Sequence, residues 1–300
     1  MTEQYRNALP KGFRLSDFEI ETVLGAGGFG ITYRAHDKGL NRKVALKEYF
    51  PRHFAMRGEE GSMVHPVSED FAEDYDFGLA RFGDEAQTLV NFGHPNIVSV
   101  QRFFEANGTA YLVMQLVDGK SLFEILSRRM TLPEGEIIEI LLALLDGLEQ
   151  VHEAGFLHRD IKPRNIAIRN DGTPILLDFG AARHALREKG VDLTSIITPG
   201  YSPIEQYESD GNQGEWTDIY AMAAVLYRCV TGAKPPGALD RVRRDKFVPA
   251  SRKARKKYSA SFLAVIDAAL AMDETTRPQT IAQWRAMFPE HVAPASTGIQ

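Results

Sequence analysis

The chain has 300 residues, 44% hydrophobic and 25% charged, enough for two core units or one large two-lobed domain and without the bias of a disordered or fibrous chain. Lys plus Arg at 35 against Asp plus Glu at 40 leaves a formal net charge of −5, which excludes a global attraction to nucleic acid or anionic membrane and confines any basic function to a local patch. The single cysteine, Cys229, excludes an intramolecular disulfide framework and a Cys-rich zinc site, and fits a reducing, cytoplasmic compartment.

Residues 1–12 read as an N-terminal extension, and MTEQYRNALP lacks the layout of a secretory signal. Alternation in Phe18, Ile20, Thr22 and Leu24 predicts a first strand, Ile31 to Ala35 a second and Val44 to Lys47 a third. From 50 to about 75 the pattern dissolves into Pro, Gly, His and acidic residues. That stretch reads as an inserted loop, either simply tolerated or a partner site, ahead of a helix over 77–92. Strands over 98–104 and 110–116 flank the turn Asn107-Gly108. After Val117-Asp118-Gly119 the pattern becomes helical, dividing the chain into 13–117 and 118–288. Thr131 and Glu134 read as a capping box, with Pro133 in the first turn of a buried helix through Val151. Further helices are expected over 216–231, 259–272 and 280–287, with 289–300 a flexible tail. The most apolar stretch, 137–145, falls far short of the roughly 20 residues a bilayer requires.

Gly25-Ala26-Gly27-Gly28-Phe29-Gly30 forms a GxGxxG pattern, which a dinucleotide fingerprint shares with a plain flexible hairpin. Because Ile31 to Ala35 is strand-like, these glycines cap a hairpin whose amides can close over phosphates. Lys47 ends the apolar strand Val44-Ala45-Leu46 and by itself would read as a surface lysine. His158-Arg159-Asp160-Ile161-Lys162-Pro163-Arg164-Asn165 puts an acid, a cation and an amide within six residues, and Asp178-Phe179-Gly180 follows the apolar run from Ile175 to Leu177. Each could be a turn alone, but four such motifs in this order do not arise by coincidence.

In that order the motifs resemble a eukaryotic-type (Hanks-type) serine/threonine protein kinase of the branch found in bacteria, over about Phe13 to Phe288. The resemblance implies an α+β, two-lobed fold: an N-lobe antiparallel sheet with a regulatory helix, a mainly helical C-lobe, and a cleft for ATP and Mg²⁺, with Mn²⁺ an alternative. It implies transfer of the γ-phosphoryl of ATP to Ser or Thr hydroxyls of protein substrates, with autophosphorylation of the activation segment. Such transfer passes through a loose, anionic transition state, so the protein supplies positioning and positive charge.

The same resemblance assigns roles. Asp160 would orient the substrate hydroxyl and accept its proton, Lys162 would reach the transferring phosphate, and Asn165 and Asp178 would offer oxygens to Mg²⁺. Lys47 would contact the α and β phosphates, held by a helix carboxylate. Glu85 fits the spacing to His94-Pro95-Asn96, with Glu73 and Asp84 as alternatives because the gap from Lys47 is long. Gly25, Gly27, Gly28, Phe29 and Gly30 would cover the phosphates. Leu24, Thr32 and Ala45 above and Ala167 below would bracket the adenine, with backbone groups of Gln115 and Val117 at its edge and Met114 behind it. Thr32 and Ala167 replace larger apolar residues common in the family, implying a roomier, more polar pocket.

Thr198 to Glu205 resembles the segment that receives the substrate peptide, with Glu205 pairing Arg277 and Asp218 bracing the catalytic loop. Lys162 and Thr198 match the Ser/Thr pattern. Arg159 would bind a phosphate on Thr194 or Ser195, unless those are plain solvated hydroxyls. Nine Lys or Arg lie between 241 and 257, with little aromatic interleaving. That pattern favours a solvated loop over nucleic-acid contact, with docking of an acidic regulatory partner the middle reading. Two rivals remain: a nucleotide-binding pseudokinase or scaffold, opposed by Lys47, Asp160, Asn165 and Asp178, and a small-molecule kinase, opposed by the peptide segment.

Overall fold

The computed structural model describes residues 7–179, 197–208 and 210–288. They form two compact units, the first ending at Asp118 and the second beginning at Gly119.

The first unit is built on six antiparallel strands: β1 (Arg14–Leu15), β2 (Phe18–Ala26), β3 (Gly30–Asp37), β4 (Arg42–Tyr49), β7 (Val100–Ala106) and β8 (Thr109–Gln115), in the order β1-β2-β3-β4-β8-β7. Strands β4 and β8 are interior and nearly continuously buried, which is why Val44-Ala45-Leu46 and Ala110 to Met114 read as apolar runs without clean alternation. Asn107 and Gly108 both have positive φ, 53° and 67°, the two-residue turn that Asn-Gly favours because it follows the twist of its strands. Helix α1 (Ala72–Val90) turns Phe82, Glu85, Ala86 and Leu89, all buried, to one side.

The reading of 50–75 as a loop is corrected. It contains a hairpin, β5 (Ala55–Arg57) and β6 (Val64–Pro66), a 3₁₀ turn at Glu69–Phe71 and the start of α1. Strands of three residues are too short to show a period of two. The acidic residues taken as loop include Glu73 and Asp74 of the helix's first turn, where the helix dipole favours negative charge. Residues 7–12 pack onto the sheet: Leu9 is buried and its N–H donates to Tyr33 Oη at 3.1 Å.

The second unit has a small antiparallel sheet, β9 (Gly119–Ser121), β10 (Ile166–Arg169) and β11 (Pro174–Leu176), with β10 in the middle. Around it lie α2 (Leu122–Arg129), α3 (Glu134–Glu153), α4 (Glu215–Thr231), α5 (Ala238–Arg243), α6 (Ala250–Lys253), α7 (Ala260–Ala269) and α8 (Ile281–Ala286). The core runs along α4, buried almost end to end and including Cys229, against Leu141, Leu145 and Leu148 of α3, Phe262 and Ile266 of α7 and Trp284 of α8. Burial pushes the Cys229 thiol up to about 12.

Two expectations change here. The capping box forms at Ser121 and Glu124, at the start of α2, and not at Thr131 and Glu134. At α3 the N-cap is Pro133 with no side-chain cap, and Glu134 accepts instead from the N–H and Oγ of Ser259, the N-cap of α7, at 2.7 and 2.5 Å. The basic stretch 241–257 is likewise more than a solvated loop. Arg241 is buried, donates to Leu270 O at 2.8 Å and lies over the Phe247 ring at 4.4 Å.

Candidate functional site

The glycines of the first unit sit where β2 turns into β3. Gly27 N–H donates to Gly30 O at 2.8 Å, and pairing resumes at Ala26 with Ile31. A strand follows the glycines, as the phosphate-lid reading requires. Gly30 is obligatory for a second reason: a Cβ there would fall 2.5 Å from Glu48 O on the neighbouring strand. Thr32 pairs with Lys47 across β3 and β4, and Ala45 pairs with Met114 across β4 and β8. Leu24 is exposed near the end of β2, Gln115 closes β8, and Val117 follows it half-buried.

Lys47 projects from β4 toward α1. Its Nζ lies 3.8 Å from Glu85 Oε1 and 5.7 Å from the centroid of Phe82, with both side chains of the ion pair largely buried. Of the three carboxylates weighed, Asp84 points outward and pairs with Arg81 at 2.9 Å, and Glu73 is exposed in the first turn of α1. Helical spacing decides the matter, since Glu85 shares its face with Phe82 and Leu89 whereas Asp84 does not.

In the second unit the loop 158–165 gathers Asp160, Lys162 and Asn165. Lys162 Nζ donates to Asp160 Oδ2 at 2.7 Å and Oδ1 at 3.0 Å, and Asn165 Nδ2 donates to Asp160 Oδ2 and to its carbonyl, both at 2.9 Å. Asn165 is buried in a single 3₁₀ turn that Pro163 opens, and Asn165 O accepts from Leu177 N at 2.8 Å. That bond ties the loop to the strand leading into Asp178. Ala167 is buried on β10, paired with Ile175 and Ser121.

Buried polar groups hold this loop. Asp218, on α4, accepts from His158 N and Arg159 N, each at 2.8 Å, and lies 2.9 Å from His152 Nε2. Burial opposes charge on both partners, yet the His152 contact holds Asp218 below the usual carboxylate range, and Asp218 with Glu215 raises His152. His158 is the reverse case: burial lowers its pKa, its Nε2 meets Leu177 O at 3.0 Å and its Nδ1 accepts from Asp160 N at 3.3 Å. A neutral ring with its proton on Nε2 satisfies both contacts. The ring lies 4.4 Å from Phe179, centroid to centroid. Arg159 and Asp178 have φ of 63° and 50°, a conformation costing roughly 1–3 kcal/mol for a non-glycine residue and typical of functional loops.

Glu205 and Arg277 form a buried two-point pair at 2.6 and 3.2 Å, and Thr217 Oγ1 donates to the same carboxylate at 3.1 Å. Sequence reasoning missed Gln206, whose Nε2 donates to Arg159 O at 2.9 Å, and His152, whose position late in an apolar helix carried no signal of its own. It missed as well the buried carboxylate of Glu48, which accepts from Tyr33, Tyr111 and Arg57. Thr194, Ser195 and Gly180 lie outside the described residues, as does the tail from 289.

The donor set fits a hard divalent cation. Asn165 spends its amide nitrogen on Asp160, so its oxygen is the atom that could face a cation, and Asp178 would add a carboxylate. Among the described residues no three His, Cys, Asp or Glu form a metal cage.

A model of the protein kinase domain matches residues 18–287. The chain belongs to the protein kinase family, in its bacterial serine/threonine branch. It is 33% identical over 286 residues to serine/threonine-protein kinase PknB of Mycobacterium leprae, covering 91% of this chain and 42% of that protein. It is 32% identical to serine/threonine-protein kinase PknA of a Nostoc species, over 73% and 37%. The chain thus spans less than half the length of these curated kinases. Among solved structures, the apo form of the kinase PpkA-294 superposes with a TM-score of 0.84 at 39% identity, over 94% of this chain and 99% of that one. Rad53 1–466, solved in complex with AMP-PNP, shares the fold at a TM-score of 0.68 and 24% identity. No helix among the described residues is long and apolar enough to cross a membrane.

Proposed function

We propose that this kinase transfers the γ-phosphoryl of ATP to Ser or Thr hydroxyls of protein substrates in the cytoplasm. The observation that carries the reading is the Asp160 carboxylate held by both Lys162 and Asn165 at 2.7–3.0 Å. It supports a reading in which one loop supplies a proton acceptor, a cation for the migrating phosphoryl group and an oxygen donor.

In the first unit the turn over Gly25, Gly27, Gly28, Phe29 and Gly30 covers phosphates, and Lys47, held by Glu85, neutralises the α and β groups. In the same unit Leu24, Thr32 and Ala45 line the adenine, and Gln115 and Val117 offer backbone groups to its edge. Asn165 and Asp178 would hold Mg²⁺, or Mn²⁺ in its place, which would supply positive charge to the phosphate oxygens. Asp160 orients the acceptor hydroxyl and takes its proton, and Lys162 stays on the phosphoryl group as charge builds.

Arg159 is the receptor for a phosphate on Thr194 or Ser195, which makes autophosphorylation the activating step. A regulatory partner docks at 50–75 or at the exposed cations of 241–257. Incubation with γ-labelled ATP and Mg²⁺ tests the core of the reading: the wild type labels itself and an added protein on Ser or Thr. Asp160→Asn still binds nucleotide and loses at least ~10²-fold in rate. Nucleotide binding without any label transfer, with and without added protein substrates, would return the chain to the pseudokinase reading.

A further inference from the structure

The segment from Phe50 to Phe71 meets the glycine turn at three points. Phe29 O accepts from Phe50 N and Gly28 O accepts from Arg52 N, both at 2.9 Å. The Phe29 ring meets that of Phe54 edge-on, with centroids 6.5 Å apart. Both hydrogen bonds use carbonyls of the turn, leaving phosphate recognition to amides. Phe54 is itself buried, stacks on Phe71 at 6.1 Å, and its carbonyl accepts from Val67 N at 2.9 Å.

The hairpin that carries this contact is anchored beside Lys47. Glu48, the next residue on β4, is fully buried and accepts from Tyr33 Oη, Tyr111 Oη and Arg57 Nη2, each at 2.7 Å. The same guanidinium donates to Asn7 O at 2.7 Å and Ser62 O at 2.8 Å and lies over the Phe50 ring at 5.2 Å. Val64 N donates to Asn107 O at 2.8 Å, fixing the far end of the hairpin to the sheet. A glycine-rich turn is the part of a chain that loses most conformational freedom on being ordered. Here protein contacts supply part of that ordering.

We propose that Phe54 is a positioning residue for nucleotide phosphates: the inserted hairpin, anchored to β4 by Arg57 and Glu48, preorganises the glycine turn through Phe54. The proposal rests on the reading that this turn covers the phosphates of ATP.

Calorimetric titration of Mg·ATP and, separately, adenosine into wild type and Phe54→Ala tests it. The expected result is an ATP affinity lowered about tenfold with adenosine within about twofold, because only the phosphates use the preorganised turn. Equal losses for both ligands, or no loss for ATP, would overturn it. If Phe54→Ala does not fold, as judged by circular dichroism, the same comparison on Phe54→Leu decides, since leucine keeps apolar volume but not the ring. A wild type that binds neither ligand would sink the ATP reading and this proposal together. Intact binding of both without selective loss removes the proposal alone.

Discussion

Asp218 gathers three donors onto two oxygens, and the only side chain among them is His152, whose pKa is raised by Asp218 and Glu215 against the effect of burial. His152 also lies 3.3 Å from Glu215 Oε2. Its folded pKa is raised, so its contribution to stability is full below the unfolded value of about 6.5 and disappears as pH rises through the folded value. Asp218 is depressed, so its contribution is full above about 3.9 and is lost only as pH falls through the folded value. Thermal melting across mildly acidic to alkaline pH therefore shows wild type losing stability on the alkaline side, with a shallower fall in His152→Gln. Parallel curves would separate His152 from the effect. At the Glu205–Arg277 pair the expected outcome concerns stability alone: Arg277→Met strands a buried carboxylate and costs about 3–5 kcal/mol, read by urea denaturation. Glu205→Gln combined with Arg277→Met recovers part of the loss, because no uncompensated charge stays buried.

Among the elements, the hairpin β5–β6 depends on the turn between β7 and β8. Gly108 has φ of 67°, and a Cβ there would lie 2.5 Å from Val64 O. Gly108→Ala is expected to cost about 1–3 kcal/mol and to speed amide exchange at Val64, whose N–H is bonded to Asn107 O. Unchanged exchange would mean that the Asn107–Gly108 turn does not hold the hairpin. The contrast between this hairpin and its neighbours shows what sequence can reveal. β2 and β3 were legible through alternation, β7–β8 through Asn-Gly, and α4 through its apolar length. The inserted hairpin was not, because its order comes from Arg57 reaching a buried Glu48 nine residues away and from backbone bonds to residues 28, 29 and 107, none of which has a local signature. Glu134 failed for a related reason. Its position after Thr131 satisfied a local rule, but a hydroxyl 125 residues further on offered the better bond. The loop 158–165 was legible because the chemistry proposed for it demands fixed residue types at fixed spacing, while Gln206 and His152, which only hold backbone or carboxylate in place, answer to no such demand.

For the whole molecule, charge is distributed against its average. Eight exposed Lys or Arg lie between 243 and 257 of a chain with net charge −5, while Arg241 of the same stretch is committed to the core. On immobilised heparin the expected behaviour is weak retention that is gone by about 0.15 M salt, where exposed charges are screened beyond roughly 8 Å. Glutamate at positions 255, 256 and 257 should abolish it. Retention to several times that salt would indicate many simultaneous phosphate-like contacts and reopen the nucleic-acid reading. The single thiol sets a different property of the molecule. Cys229 is enclosed in the core and its thiol is pushed up to about 12, so at neutral pH it offers almost no thiolate to an electrophile. The native chain is therefore a silent background for maleimide chemistry: a cysteine introduced at an exposed position such as Met56 of the hairpin should take up one fluorophore per molecule, while the unaltered protein takes up none until it is denatured.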